Sequence, residues 1–163
     1  MTLFVIRHAS AGARHQFDGD DLQRPLDPHG IGQARALADS LRRHQIVRLL
    51  SSEAARCTQT LEPLSSARGI EIEPDEALME GARPANAVEL LRDLSGTAGD
   101  VAVCSHSDVI PAVLATLAHE GTALIGGRGC AKGSIWELVA RGRDIVSARY
   151  HPAAALSRDL AST

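Results

Sequence analysis

A regular alternation of short apolar runs with longer helix-periodic stretches is the feature that most constrains this chain. Leu3–Ile6, Ile46–Leu50, Ile70–Ile72 and Val101–Cys104 have strand length and are bounded by polar or turn residues. Between them, "DPHGIGQARALADSL" sets Ile31, Ala34, Leu37, Ala38 and Leu41 at helical spacing, with Asp27 as N-cap and Pro28 in the first helical position. "SSEAARCTQTLEPLSSARG" reads as a second helix, capped by Ser52, stopped near Gly69 and kinked or shortened by Pro63. Ala85–Leu94 and Asp108–Ala118 complete the set, the latter with Pro111 in its first turn. This β-α-β-α-β-α-β-α order predicts an α/β fold, a single three-layer α/β/α domain over residues 1–163 whose central sheet is mostly parallel and flanked by helices. "SIWELVARGRDIVSARY" then reads as two strands joined by the turn "ARGRD", and the Ala- and Ser-rich C-terminus is expected to fray.

Composition supports this layering and narrows the partners. Apolar residues make up 44% and aromatics 2%, so the core is built from Leu, Ala, Val and Ile. Scarce aromatics and a net charge of −3 disfavour nucleic acid, whose single-stranded binders need stacking platforms in a positive groove. The three cysteines, Cys57, Cys104 and Cys130, lack paired or metal-type spacing, as expected of reduced thiols in a cytoplasm. No run approaches the ~20 apolar residues of a membrane span, and Leu3–Ile6 is too short for a signal segment. The expectation is a soluble cytoplasmic protein with no membrane partner.

In open α/β sheets ligands gather at the carboxyl ends of the strands, where helix N-termini offer N–H groups. Arg7 and His8 follow the first strand; Ser51 and Ser52 follow the second, with Arg56 one turn into the next helix; Ser105 and His106 follow the fourth. Two arginines and two histidines from three strand ends thus meet on one rim. Guanidinium forks bind phosphate oxygens bidentately and stay charged at any working pH. A neutral imidazole attacks phosphorus when its other nitrogen is held as N–H. Such a cage stabilises phosphoryl transfer with no metal and no cofactor.

These residues form motifs that resemble the histidine phosphatase (phosphoglycerate mutase-like) superfamily, and within it the short SixA-like branch. "IRHAS" is similar to the family's Arg-His signature and "RPLDPHGIGQARAL" to the stretch entering the first helix. "SSEAARCTQT" resembles the Ser-Ser-x-x-x-Arg-x-x-Gln-Thr helix, and "VCSHSDVI" the second-histidine motif. "ARHQFDGDDLQRPLD" and "KGSIWEL" also resemble histidine-phosphatase domains appended to actinobacterial Nudix hydrolases. The resemblance implies a phosphoglycerate mutase-like fold, His8 as nucleophile, and Arg7, Arg56 and His106 as phosphate-binding residues. It places Glu80, in "ALMEG", where many members carry the acid that protonates the leaving group, although some SixA-like chains work without one. The implied activity is a metal-independent phosphatase acting on protein phosphohistidine or a small phosphorylated metabolite. The interval from Asp75 to Asp100 leaves little room for a mutase's enclosing insertion. The alternative is a phosphate- or nucleotide-binding regulatory module without significant turnover, which has no need of His8.

Other polar residues have plainer readings. Arg56 alone would be a solvated helix residue pairing with Glu53, and His15, His29, His44, His119 and His151 read as surface residues. Cys104 reads as a buried small hydrophobe. "FDGDD" lacks the spaced ligands of a calcium loop and reads as solvated, while "GGRGCAKGS" is no P-loop but could form a flap near the site.

Overall fold

A computed structural model describes residues 1–156. Seven strands form one sheet: β1 (Thr2–Arg7), β2 (Ile46–Ser51), β3 (Ile72–Pro74), β4 (Asp100–Ser105), β5 (Ala123–Ile125), β6 (Ile135–Arg141) and β7 (Asp144–His151). Their order across the sheet is β3-β2-β4-β1-β6-β7-β5. β1, β2, β3 and β4 pair in parallel, β6 runs antiparallel to β1 and β7, and β5 closes the far edge parallel to β7. Helices α1 (Pro28–Ser40), α2 (Ala55–Arg68), α3 (Pro84–Leu94) and α4 (Val109–His119) cover the two faces.

The period-2 alternation of β1 decides which helices lie where. Leu3 and Val5 pack with Val88 and Leu91 of α3 and Ile110, Val113 and Leu117 of α4. Phe4 and Ile6 point the other way, onto Leu37 of α1 and Cys57, Leu61 and Leu64 of α2. This is the expected three-layer, mostly parallel α/β arrangement.

Local chemistry explains where α1 starts. Asp27 accepts the Gly30 N–H through Oδ1 at 2.8 Å, while Oδ2 accepts the Ser10 hydroxyl at 2.6 Å and the Gly12 N–H at 2.9 Å. One carboxylate therefore caps the helix and pins the loop leaving β1, and the Ser10 bond leads in holding its pKa below the usual carboxylate range. A Cβ on Gly30 would lie 1.9 Å from the Ser10 carbonyl, so only glycine allows this approach.

Three expectations need correction, and one strand had none. Ser52 does not cap α2; the N-cap position is Ala54, and Ser52 instead accepts the Ala54 N–H at 3.3 Å. Pro63 does not shorten α2, because burial of Leu61 and Leu64 outweighs one missing backbone bond. β3 begins at Ile72 because the N–H and carbonyl of Ile70 are both taken by Ser65 at the helix exit. The three-residue edge strand β5 carried no periodic signal. The stretch expected to fray falls largely on residues 157–163, which lie outside the described residues; Leu156, just before it, is buried.

Candidate active site

β1, β2 and β4 run in parallel register, Arg7 beside Ser105 and Ser51 beside Cys104, so their last residues end on one rim. His8 follows directly, its N–H donating to the Ser105 carbonyl at 3.1 Å. The His8 ring is 6% exposed, and its Nδ1 lies 2.8 Å from the Ala9 carbonyl. A carbonyl only accepts, so Nδ1 carries the proton and Nε2 keeps its lone pair. Burial is the main cause that lowers the His8 pKa to about 3, against the Ala9 bond and with help from His106, Arg56 and Arg7. His8 is therefore neutral throughout the physiological range.

His106, 2% exposed, faces His8 edge-on with ring centroids 5.4 Å apart. Its Nε2 meets the Ser52 hydroxyl at 2.8 Å and Cys57 Sγ at 3.5 Å. When Ser52 donates to Nε2, the proton of His106 sits on Nδ1, a buried atom with no partner among the described residues. Ser52→Ala removes that constraint. A loss of roughly 3- to 10-fold in kcat/KM is expected, the equivalent of one hydrogen bond, with the tautomer shift visible in the ¹⁵N spectrum of His106. Beside it, burial pushes the Cys57 thiol up, but bonds with Cys104 and His106 bring it down to about 6. Cys104 itself is fully buried, as its plain reading required.

Arg56 is 1% exposed and does not pair with Glu53. Its Nη1 donates to the Asp21 carbonyl at 2.8 Å, and its Nη2 lies 3.2 Å from both the Asp21 and Glu80 carboxylates. Thr60 accepts the Ala9 N–H at 2.9 Å and donates to the Arg56 carbonyl at 2.6 Å, tying α2 to the β1 loop. Arg7 donates through Nη1 to the Cys130 carbonyl at 2.6 Å, and the Gly133 N–H is shared between the Arg7 and His8 carbonyls. The "GGRGCAKGS" loop thus backs the site.

The orphaned donors are informative. Arg7 Nε, Arg56 Nε and His106 Nδ1 are buried without a partner among the described residues. Leaving a buried donor unpaired costs about 1–3 kcal/mol, and three beside one neutral imidazole suit an oxyanion. Arg56→Lys keeps the charge but loses the fork, so kcat/KM should fall at least ~10-fold in steady-state assays.

All five candidate residues, Arg7, His8, Arg56, Glu80 and His106, lie around this rim. Glu80 is more open, its side chain 46% exposed, and it is held by Arg14 Nη2 at 2.8 Å as well as by Arg56. Sequence reasoning missed the outer ring. Asp21, from the supposedly solvated "FDGDD", contacts Arg14, Arg24 and Arg56, and the Arg24 bond leads in holding its pKa down. Arg24 is 7% exposed and also donates to the Ala11 and Gly12 carbonyls, bracing the loop. His151, expected on the surface, is 5% exposed and bonded to Glu137 at 2.8 Å. Among the described residues no three His, Cys, Asp or Glu side chains are grouped to hold a metal ion, and no helix is long and apolar enough to cross a membrane.

The chain resembles known phosphatases in sequence and in fold. A family model described as the histidine phosphatase superfamily (branch 1) matches residues 3–83. An 8-oxo-(d)GTP phosphatase of Mycolicibacterium smegmatis is 33% identical over 152 residues, covering 91% of this chain and 47% of its own length. The chain thus spans about half of that relative. The structure of the protein histidine phosphatase SixA complexed with tungstate superimposes with a TM-score of 0.73 at 22% identity, covering 93% of this chain and 95% of that one. A mycobacterial glucosyl-3-phosphoglycerate phosphatase does so at 0.69 and 18%, covering 93% and 97%. On this family match, the chain belongs to the histidine phosphatase superfamily.

Proposed function

We propose that the protein is a metal-independent phosphatase that works through a phosphohistidine on His8. The observation that carries this reading is a buried, neutral His8, locked with Nδ1–H on Ala9, beside unpartnered donors of Arg7, Arg56 and His106. Nε2 attacks phosphorus and the bond to the leaving group breaks. Arg7, Arg56 and His106 share the charge on the three equatorial oxygens. Water then attacks the phosphorus of phospho-His8, freeing inorganic phosphate and restoring the imidazole. Glu80, 3.2 Å from Arg56, supplies in its protonated form the proton that an alkoxide leaving group requires, and regains one from the attacking water in the second step.

The substrate is protein phosphohistidine or a small phosphorylated metabolite. The SixA likeness supports the first and the relative named as an 8-oxo-(d)GTP phosphatase supports the second. A binding module without turnover leaves the fixed tautomer of His8 without a purpose. The test is hydrolysis of an aryl phosphate in EDTA with alkaline quenching of the phosphoenzyme. Sustained turnover with acid-labile, base-stable label is expected, and a strict requirement for a divalent metal would overturn the mechanism.

A further inference from the structure

A second cavity lies on the α4 side of the sheet, between that helix and the start of β6. It encloses about 410 Å³ and is walled by Leu114, Ala115 and Ala118 of α4, Leu124 of β5 and Trp136 of β6. The volume suits a small organic molecule. Gly129, which also lines it, accepts Trp136 Nε1–H on its carbonyl at 2.9 Å. Arg128 stands at the edge, exposed and with no ion pair among the described residues. His119 is the other titratable group on the lining. An apolar wall with one unpaired guanidinium complements an apolar body carrying one negative charge.

The wall is also mechanically joined to the phosphate cage. Gly129 lies on the Tyr150 ring so closely that a Cβ would come within 2.4 Å of it, and the Ala131 N–H donates to the Tyr150 hydroxyl at 3.2 Å. Tyr150 in turn packs on Trp136, ring centroids 5.2 Å apart. Between these anchors sits Cys130, whose carbonyl accepts from Arg7. A molecule seated against Gly129 and Trp136 bears on the segment that aims Arg7.

We propose that this cleft binds a compact apolar molecule with a single anionic group, and that its occupancy is transmitted to Arg7 through Gly129 and Cys130. The transmission rests on Arg7 being a phosphoryl ligand, as argued above; the binding does not.

The probe is 1-anilinonaphthalene-8-sulfonate, titrated by fluorescence into the intact protein and into His8→Asn, so that neither readout needs turnover. Saturable binding is expected in both. Arg128→Gln should weaken it at least about 5-fold, as loss of a charge-assisted contact does, and Ala115→Phe, which fills the cleft, should abolish it. Calorimetric titration of inorganic phosphate should show its Kd changed at least about 3-fold when the probe is bound. Competition between probe and aryl phosphate identifies the natural occupant as the substrate's own leaving group, and mixed inhibition as a separate molecule; both fit the proposal. Probe binding indifferent to both substitutions, or an unchanged phosphate Kd, would overturn it, whereas undiminished turnover in His8→Asn with intact probe binding would overturn only the phosphatase reading.

Discussion

Replacing His8 with asparagine is expected to lower kcat by ~10³-fold or more and to abolish the acid-labile phosphoenzyme, with native folding retained. The asparagine amide can keep the bond to the Ala9 carbonyl that His8 Nδ1 makes now, so the loop after β1 holds its course while the nucleophile is gone. Rapid-quench labelling with radioactive substrate checks it; undiminished turnover with normal labelling would remove His8 from the mechanism. The same substitution has a signature in stability. His8 has a pKa of about 3 in the folded protein against 6.5 in an unfolded chain, so on acidification the unfolded state takes up the proton first. Its contribution to stability is complete above pH 6.5 and is lost progressively as the pH falls toward 3. His8→Asn removes that loss, and urea unfolding at pH 7 and pH 4.5 should show a smaller drop in stability for the variant than for the wild type.

The inner site was legible because strand ends are local features. A run such as "VIRHASAG" declares its own termination, and in a parallel sheet every strand that terminates in this sense delivers its next residues to the same rim. Arg7, His8, Arg56 and His106 follow from that rule together with the order of their motifs. The start of α1 was legible for a similar reason, since Asp27 and Pro28 act on the turn they begin. What was not legible depends on long-range partners. Asp21 becomes part of the site only because Arg56, 35 residues later, donates to its carbonyl. Pro63 sits inside α2 because the helix's inner face is buried against the sheet, which no propensity within the segment records. Buried His151 is likewise set by its partner across the β6–β7 ladder, Glu137.

Glu80 is where substrate choice and mechanism meet, and its replacement should reveal the leaving group. A poor alkoxide needs a proton as it departs, whereas a phenolate of low pKa or a protonated imidazole does not, so the value of an acid depends on what leaves. Glu80→Gln is therefore expected to leave hydrolysis of an activated aryl phosphate or a phosphohistidine peptide nearly unchanged and to slow an alkyl or sugar phosphate by roughly 10²-fold. The geometry supplies the competing outcome. Glu80 touches Arg56 as well as Arg14, so its second possible duty is to hold the Arg56 guanidinium in place. Glutamine keeps one acceptor oxygen for that contact, and a purely positioning carboxylate would lose activity on every substrate by the same modest factor. Kinetics of the variant over a series of phosphate esters with graded leaving-group pKa separates the two: a slope steeper than the wild type's marks a proton donor, and a parallel line displaced downward marks a residue that acts through Arg56. A wild type that already ignores alkyl phosphates while clearing phosphohistidine would show that no acid operates, and the narrow preference would then arise from the cage of Arg7, Arg56 and His106 acting on leaving groups that depart unaided.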